Sequence, residues 1–129
     1  MKKRIAVIGA GPAGLQAALH AARKKVKVCV LGKVNNSALM KAEIENYFGT
    51  EPKSGREMLE ITAKAAAGFG AVLMEEDLLN IEMEGEAFKL KTESLKEITA
   101  KAVVLAPLQR RDDEQGDEGA ELHGVPFCW

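Results

Sequence analysis

With 129 residues and 47% hydrophobic content, the chain holds material for one globular domain with its own core and leaves no room for a second full one. No apolar run approaches the ~20 residues of a membrane span, and Met1-Lys2-Lys3-Arg4 leads straight into a strand pattern rather than a signal-peptide core, so the expected setting is cytoplasmic, with no membrane partner. Two cysteines, Cys29 and Cys128, are too few for a disulfide framework. The net charge of -1 conceals an asymmetry: residues 1–42 carry nine Lys or Arg and no acid, which leaves the remainder at -10, so the two parts should attract. Aromatic residues are only 5% and none lies among those cations to stack on bases, which argues against nucleic acid.

Arg4-Ile5-Ala6-Val7-Ile8 is a short apolar β run that ends at Gly9. Helical spacing begins at Pro12, with Leu15, Ala18, Leu19 and Ala22 on one face, and Pro12 fits the first turn because its missing N–H has no partner there. Arg23-Lys24-Lys25 suits the negative end of that helix dipole. A second strand is predicted over Val26–Leu31, with Cys29 buried inside it. Strand, helix and strand within about thirty residues form a right-handed crossover, which makes the two strands parallel.

Asn35-Asn36-Ser37 reads as a loop capping a short helix from Ala38 to about Ile44. Ser54 and Glu57 form a capping box for a helix from about Gly55 to Ala67, with Met58, Leu59, Ile61, Thr62, Ala65 and Ala66 toward the core. Gly68 and Gly70 end it, and Ala71–Met74 is a third strand. Two antiparallel segments follow, Leu78–Met83 and Ala87–Thr92, the second alternating Phe88, Leu90 and Thr92 against Lys89 and Lys91. Glu97–Ala100 then leads into Ala102–Ala106, an apolar run that reads as a buried parallel strand. Residues 1–108 are thus one dinucleotide-binding domain. Residues 109–129 form an acidic loop, Gln109–Glu121, and a short apolar tail.

Gly9-Ala10-Gly11-Pro12-Ala13-Gly14 has the G-x-G-x-x-G spacing between a strand and a helix, the context in which it signals a dinucleotide diphosphate. The first glycine permits a tight turn, the second lets the diphosphate approach the backbone, and the third lets helix and strand pack closely. The helix start adds free N–H groups and partial positive charge. The acid expected at the end of the second strand, about 20 residues on, is missing, because Gly32 and Lys33 stand there. Either the site meets a 2′-phosphate with Lys33, or adenosine binding is weakened. His20 and His123 fall in a helix and a loop and suit packing or surface roles, and no metal-ligand constellation is present.

Beyond the turn, Ile44-Glu45-Asn46-Tyr47-Phe48-Gly49, Ser54–Leu59, Gly68-Phe69-Gly70-Ala71, Lys101–Ala106 and Gly124–Cys128 follow in an order and spacing that resemble the FAD domain of the low-molecular-weight thioredoxin reductases and related pyridine nucleotide-disulfide flavoproteins. The resemblance covers nearly the whole chain and implies a Rossmann-like three-layer α/β fold, a parallel sheet with a small antiparallel β-meander crossover. It also implies FAD held by Gly9, Gly11, Pro12, Ala13 and Gly14 with Asn46 near the flavin, and electron flow from a nicotinamide cofactor through flavin to a disulfide. Three positions depart from that pattern: Gly32 in place of the ribose acid, Pro107-Leu108 in place of Thr-Gly, and a chain that stops one residue after Cys128, which leaves this cysteine at most a mixed-disulfide thiol. The leading expectation is a partial FAD domain of an oxidoreductase that works as a dimer or hetero-complex. Its alternatives are a nucleotide-sensing or interaction module without tight flavin binding, favoured by Gly32 and Pro107-Leu108, and a small NADP-binding reductase, favoured by Lys33.

Overall fold

A computed structural model describes residues 1–107; Leu108, the acidic loop and tail 109–129, His123 and Cys128 lie outside the described residues. The first strand, β1, spans Lys2–Ile8, the helix α1 Pro12–Arg23, and the second strand, β2, Val28–Leu31. β1 and β2 pair in parallel, from Ile5 opposite Val28 to Ile8 opposite Leu31. Every residue of β2 is buried, Cys29 included, because both faces of the strand are covered. α1 lays Leu15, Ala18 and Ala22 on one of those faces, as its spacing predicts, and the chain reverses after it through Lys25 in the left-handed region. Arg23 at the end of α1 rests 5.8 Å from the ring of Phe69, just past the second helix.

Between β2 and that helix the chain departs from expectation. The single short helix over Ala38 to Ile44 is replaced by two 3-10 turns, Val34–Asn36 and Ala38–Lys41, and a two-residue strand β3, Glu43–Ile44, antiparallel to β4, Lys53–Ser54. The bonds are of the three-residue kind, Met40 N–H to Ser37 O and Ala42 N–H to Leu39 O, and Ile44 pairs with Lys53 instead of continuing the coil. Ser37 does cap the second turn, accepting from Leu39 N–H at 3.3 Å.

The second helix, α2, runs Gly55–Gly68 and opens as predicted, with Ser54 Oγ accepting the Glu57 N–H at 3.2 Å. Leu59 and Ala66 are buried, and Met58, Thr62 and Ala65 are half-buried. Ile61, expected toward the core, is 52% exposed. α2 packs on α1 and on β5, Val72–Met74, the edge strand of the sheet, so only a narrow stripe of the helix is covered.

Three more strands complete a six-stranded sheet in the order β5-β2-β1-β8-β7-β6, where β6 is Leu78–Glu84, β7 Ala87–Thr92 and β8 Glu97–Leu105. β5, β2, β1 and β8 are parallel, and β6, β7 and the first half of β8 form the expected antiparallel meander. The sheet curls, so that Leu90, Ile98 and Ala100 from the meander share one apolar cluster with Ala6, Cys29, Leu31 and Met74, while α1 and α2 cover Val7, Val28 and Val30 on the other face. Helices, parallel strands and curled meander are the three layers of the Rossmann-like α/β architecture.

The segments Glu97–Ala100 and Ala102–Ala106 are one continuous strand, and its second half is parallel but not buried. Ala102 is exposed, Val104 is 36% exposed and Leu105 70%. β7 pairs with β8 only as far as Ala100, so among the described residues no strand borders the far edge of residues 102–105. Apolar composition marks such a strand for burial, and the cover is what these residues do not provide.

Candidate dinucleotide site

The parallel strands β1, β2 and β8 end beside the glycine turn, the place where an open α/β sheet receives a ligand. A groove of about 520 Å³ opens there, lined by Gly9 to Ala13, Gly32, Lys33, Asn36 to Leu39, Asp77, Leu78, Ala106 and Pro107. It is of the size small-molecule sites occupy.

The three glycines do different work. Gly9 has φ +113, and a Cβ there would overlap Ala106 O, because β8 closes against the turn through the Ala106 N–H to Ile8 O bond of 2.7 Å. A Cβ on Gly14 would overlap Gly9 O, so this glycine lets α1 start directly on the turn. Gly11 is under no such demand. Its φ of -85 and ψ of -170 suit any residue, and a Cβ would meet nothing nearer than Ser37 Oγ at 3.5 Å. Among the described residues, neither backbone conformation nor packing requires glycine at position 11, whereas a ligand lying against the backbone would.

Gly11 is also the N-cap of α1, and no side chain caps this end. The first main-chain bond into the helix is Leu15 N–H to Gly11 O at 2.9 Å, which leaves the N–H groups of Ala13 and Gly14 without helical acceptors. With no acid in the first turn, the positive end of the helix dipole faces the groove. The turn expected from the sequence is therefore assembled, with Gly9, Gly11, Pro12 and Ala13 lining the groove and Gly14 setting the helix close behind them.

Lys33 lines the groove as well, but its ammonium is already paired. It stands 3.0 Å from Glu93 Oε1 and 3.4 Å from Asp77 Oδ2, and these two contacts, Glu93 first, hold the Lys33 pKa above its ordinary value. The cluster of one cation and two carboxylates is formally -1. Of the nine cations in residues 1–42, Lys33 alone makes an ion pair among the described residues, so the expected attraction between the halves is focused on this point. Asn46 is placed elsewhere: it is exposed in the stretch between β3 and β4 and does not line the groove. Cys29 is buried under the meander, and burial pushes its thiol pKa up, so it is no nucleophile.

Sequence reasoning did not single out Ser37, Asp77, Leu78 or Ala106 as groove residues. Ser37 carried a signal as a cap, but Asp77 and Ala106 reach the turn only through the sheet order. Beside them Glu76 accepts from Ser94 Oγ at 2.6 Å and pairs with Lys96 at 2.8 Å. Lys96 first, then Ser94, lower the Glu76 pKa to about 2, and this knot braces the β7–β8 turn, where Leu95 has φ 64.

Residues 3–111 match the family described as pyridine nucleotide-disulphide oxidoreductase. The chain belongs to that family. Among curated relatives, the thioredoxin reductase of Aquifex aeolicus (strain VF5) is 31% identical over 96% of this chain and 40% of its own length, and that of Peptoclostridium acidaminophilum 32% identical over 96% and 41%. Among solved structures, the atypical thioredoxin reductase TRi from Desulfovibrio vulgaris Hildenborough is 36% identical with a TM-score of 0.76, covering 84% of this chain and 37% of that one. A thioredoxin reductase from Gloeobacter violaceus has a TM-score of 0.77 at 30% identity, covering 82% and 36%. This oxidoreductase-family domain thus has the thioredoxin reductase-like fold, as the resemblance implied, and spans about 40% of the curated relatives it matches. No helix among the described residues is long and apolar enough to cross a membrane.

Proposed function

We infer that the groove binds FAD and that the chain serves as the FAD-binding part of a thioredoxin reductase-like electron-transfer flavoprotein. The observation that carries this reading is Gly11, a glycine that neither backbone conformation nor packing demands, at the mouth of an uncapped helix. The residues present fit the group: Ala13 and Gly14 N–H would hold the diphosphate, Gly11 would let it approach, and Gly32, Asp77 and Leu78 would border the adenosine. When bound, FAD would supply two-electron redox chemistry of the kind that links a nicotinamide cofactor to a disulfide. The protein's own part is binding and orientation. The family resemblance would set Asn46 near the flavin, outside the groove at the glycine turn.

The edge of β8 beyond Ala100, unpaired among the described residues, and the exposed Val104 and Leu105 support a dimer or hetero-complex, and light scattering at micromolar concentration should give more than a monomer mass; a cytoplasmic setting goes with this reading. The cofactor reading is tested by the visible spectrum of the purified chain during titration with FAD, NADPH and NADH. Saturable perturbation of the flavin bands is the expected result. Binding of NADPH without FAD would replace this reading with the NADP-binding reductase, and binding of none with a module that has lost its nucleotide.

A further inference from the structure

Position 32 cannot carry the ribose acid of the dinucleotide fingerprint. Gly32 has φ +146, its N–H bonds Met74 O at 3.1 Å, and a Cβ there would stand 2.9 Å from Ala10 N. Any side chain at the end of β2 would press into the glycine turn itself. A carboxylate nevertheless reaches the same groove from another element. Asp77, in the connection between β5 and β6, lines it beside Gly32, and its main chain is fixed by the Glu93 N–H to Asp77 O bond of 2.9 Å. Lys33 Nζ engages only Oδ2, at 3.4 Å, and among the described residues Asp77 Oδ1 has no hydrogen-bond partner. Resting on the reading above, we propose that Asp77 is the ribose acceptor of this site, and that the Lys33–Asp77–Glu93 cluster bars a 2′-phosphate.

The charges decide whether a 2′-phosphate is admitted. A 2′-phosphate brings close to two negative charges to a cluster that already carries a net negative one, and among the described residues that line the groove the one ammonium, Lys33, is held by two carboxylates at 3.0 and 3.4 Å. A ribose with free hydroxyls brings two neutral donors, which a carboxylate oxygen accepts in charge-assisted hydrogen bonds.

The test is calorimetric titration of the 129-residue chain with ADP, 2′-deoxy-ADP and adenosine 2′,5′-bisphosphate. The wild type should bind ADP about tenfold more tightly than either analogue, the scale of one charge-assisted hydrogen bond in a part-exposed site. Asp77→Ala should bring ADP and 2′-deoxy-ADP to equal affinity. The double variant Asp77→Asn, Glu93→Gln turns the cluster from -1 to +1 and should improve the bisphosphate by about tenfold. Lys33→Met, which keeps both carboxylates, should sharpen its rejection. ADP binding without preference over 2′-deoxy-ADP, or a preference that survives Asp77→Ala, overturns the proposal and leaves the dinucleotide reading standing. Failure of the wild type to bind either ADP or FAD overturns both.

Discussion

Replacing Gly11 and Gly14 in turn by alanine separates a glycine kept for a ligand from one kept for the fold. At Gly11 the new Cβ would face Ser37 Oγ at 3.5 Å, ordinary contact, in a backbone conformation that alanine adopts freely. The loss of a preferred N-cap costs up to ~1 kcal/mol, and the stiffer unfolded chain returns about 0.4–1 kcal/mol. Gly11→Ala should therefore unfold within ~5 °C of the wild type, given about 4–8 °C per kcal/mol for a domain of this size. At Gly14 the methyl would overlap Gly9 O and come within 3.3 Å of Val7 Cγ1, so α1 must lift from β1. Overpacking of that kind costs about 1–3 kcal/mol, a fall of roughly 10 °C. Binding should rank the other way. Gly11→Ala puts its methyl where the diphosphate approaches, and forfeiting even one charge-assisted hydrogen bond, ~1.5–3 kcal/mol, weakens FAD at least about tenfold. Thermal unfolding by circular dichroism and FAD titration of both variants read the two effects. A Gly11→Ala protein that binds FAD like the wild type, or that unfolds as early as Gly14→Ala, would refute the reasoning.

The burial boundary in β8 predicts unequal costs along one strand: Ile98→Ala should lose about 2–5 kcal/mol from the fully buried meander cluster, whereas Val104→Ala should lose less than ~1 kcal/mol in urea unfolding of the isolated chain. Equal losses would mean that residues 102–105 are covered. Glu76, lowered from 4.5 to about 2, stabilises the fold above pH 4.5, and that contribution disappears as pH falls from 4.5 toward 2. Acid titration followed by circular dichroism should therefore show Glu76→Gln less stable than the wild type at neutral pH and converging with it near pH 2.

The β1, turn, α1 and β2 unit was legible because its signals are local: strand period, glycine spacing and helix period follow one another along the chain, and Gly14 meets Gly9 and Val7 within the unit, although the demand on Gly9 itself comes from Ala106 at the end of β8. The meander was legible for the same reason, through the alternation of Phe88, Leu90 and Thr92. What could not be read depends on long-range placement. Ile61 satisfies helical periodicity, but the width of the covered stripe on α2 is set by its seat over the edge strand β5. Ala102 to Leu105 have the composition of a buried strand, and only the sheet order reveals that nothing described covers them. Lys33 looked available for a phosphate, and its two carboxylates come from positions 44 and 60 residues away in sequence. The same distance hid Asp77 from a search for an acid near position 32.

The proposed FAD site is built on the main-chain N–H groups of Ala13 and Gly14, and amide chemical shifts measured by NMR as FAD is added to the isotope-labelled chain report on them directly. The largest shifts should fall on Gly11, Ala13 and Gly14, with Gly32 and Asp77 next. Saturation that leaves those amides unmoved, with shifts confined to the basic end of the sheet at Lys2, Lys3, Arg4 and Lys27, would contradict it.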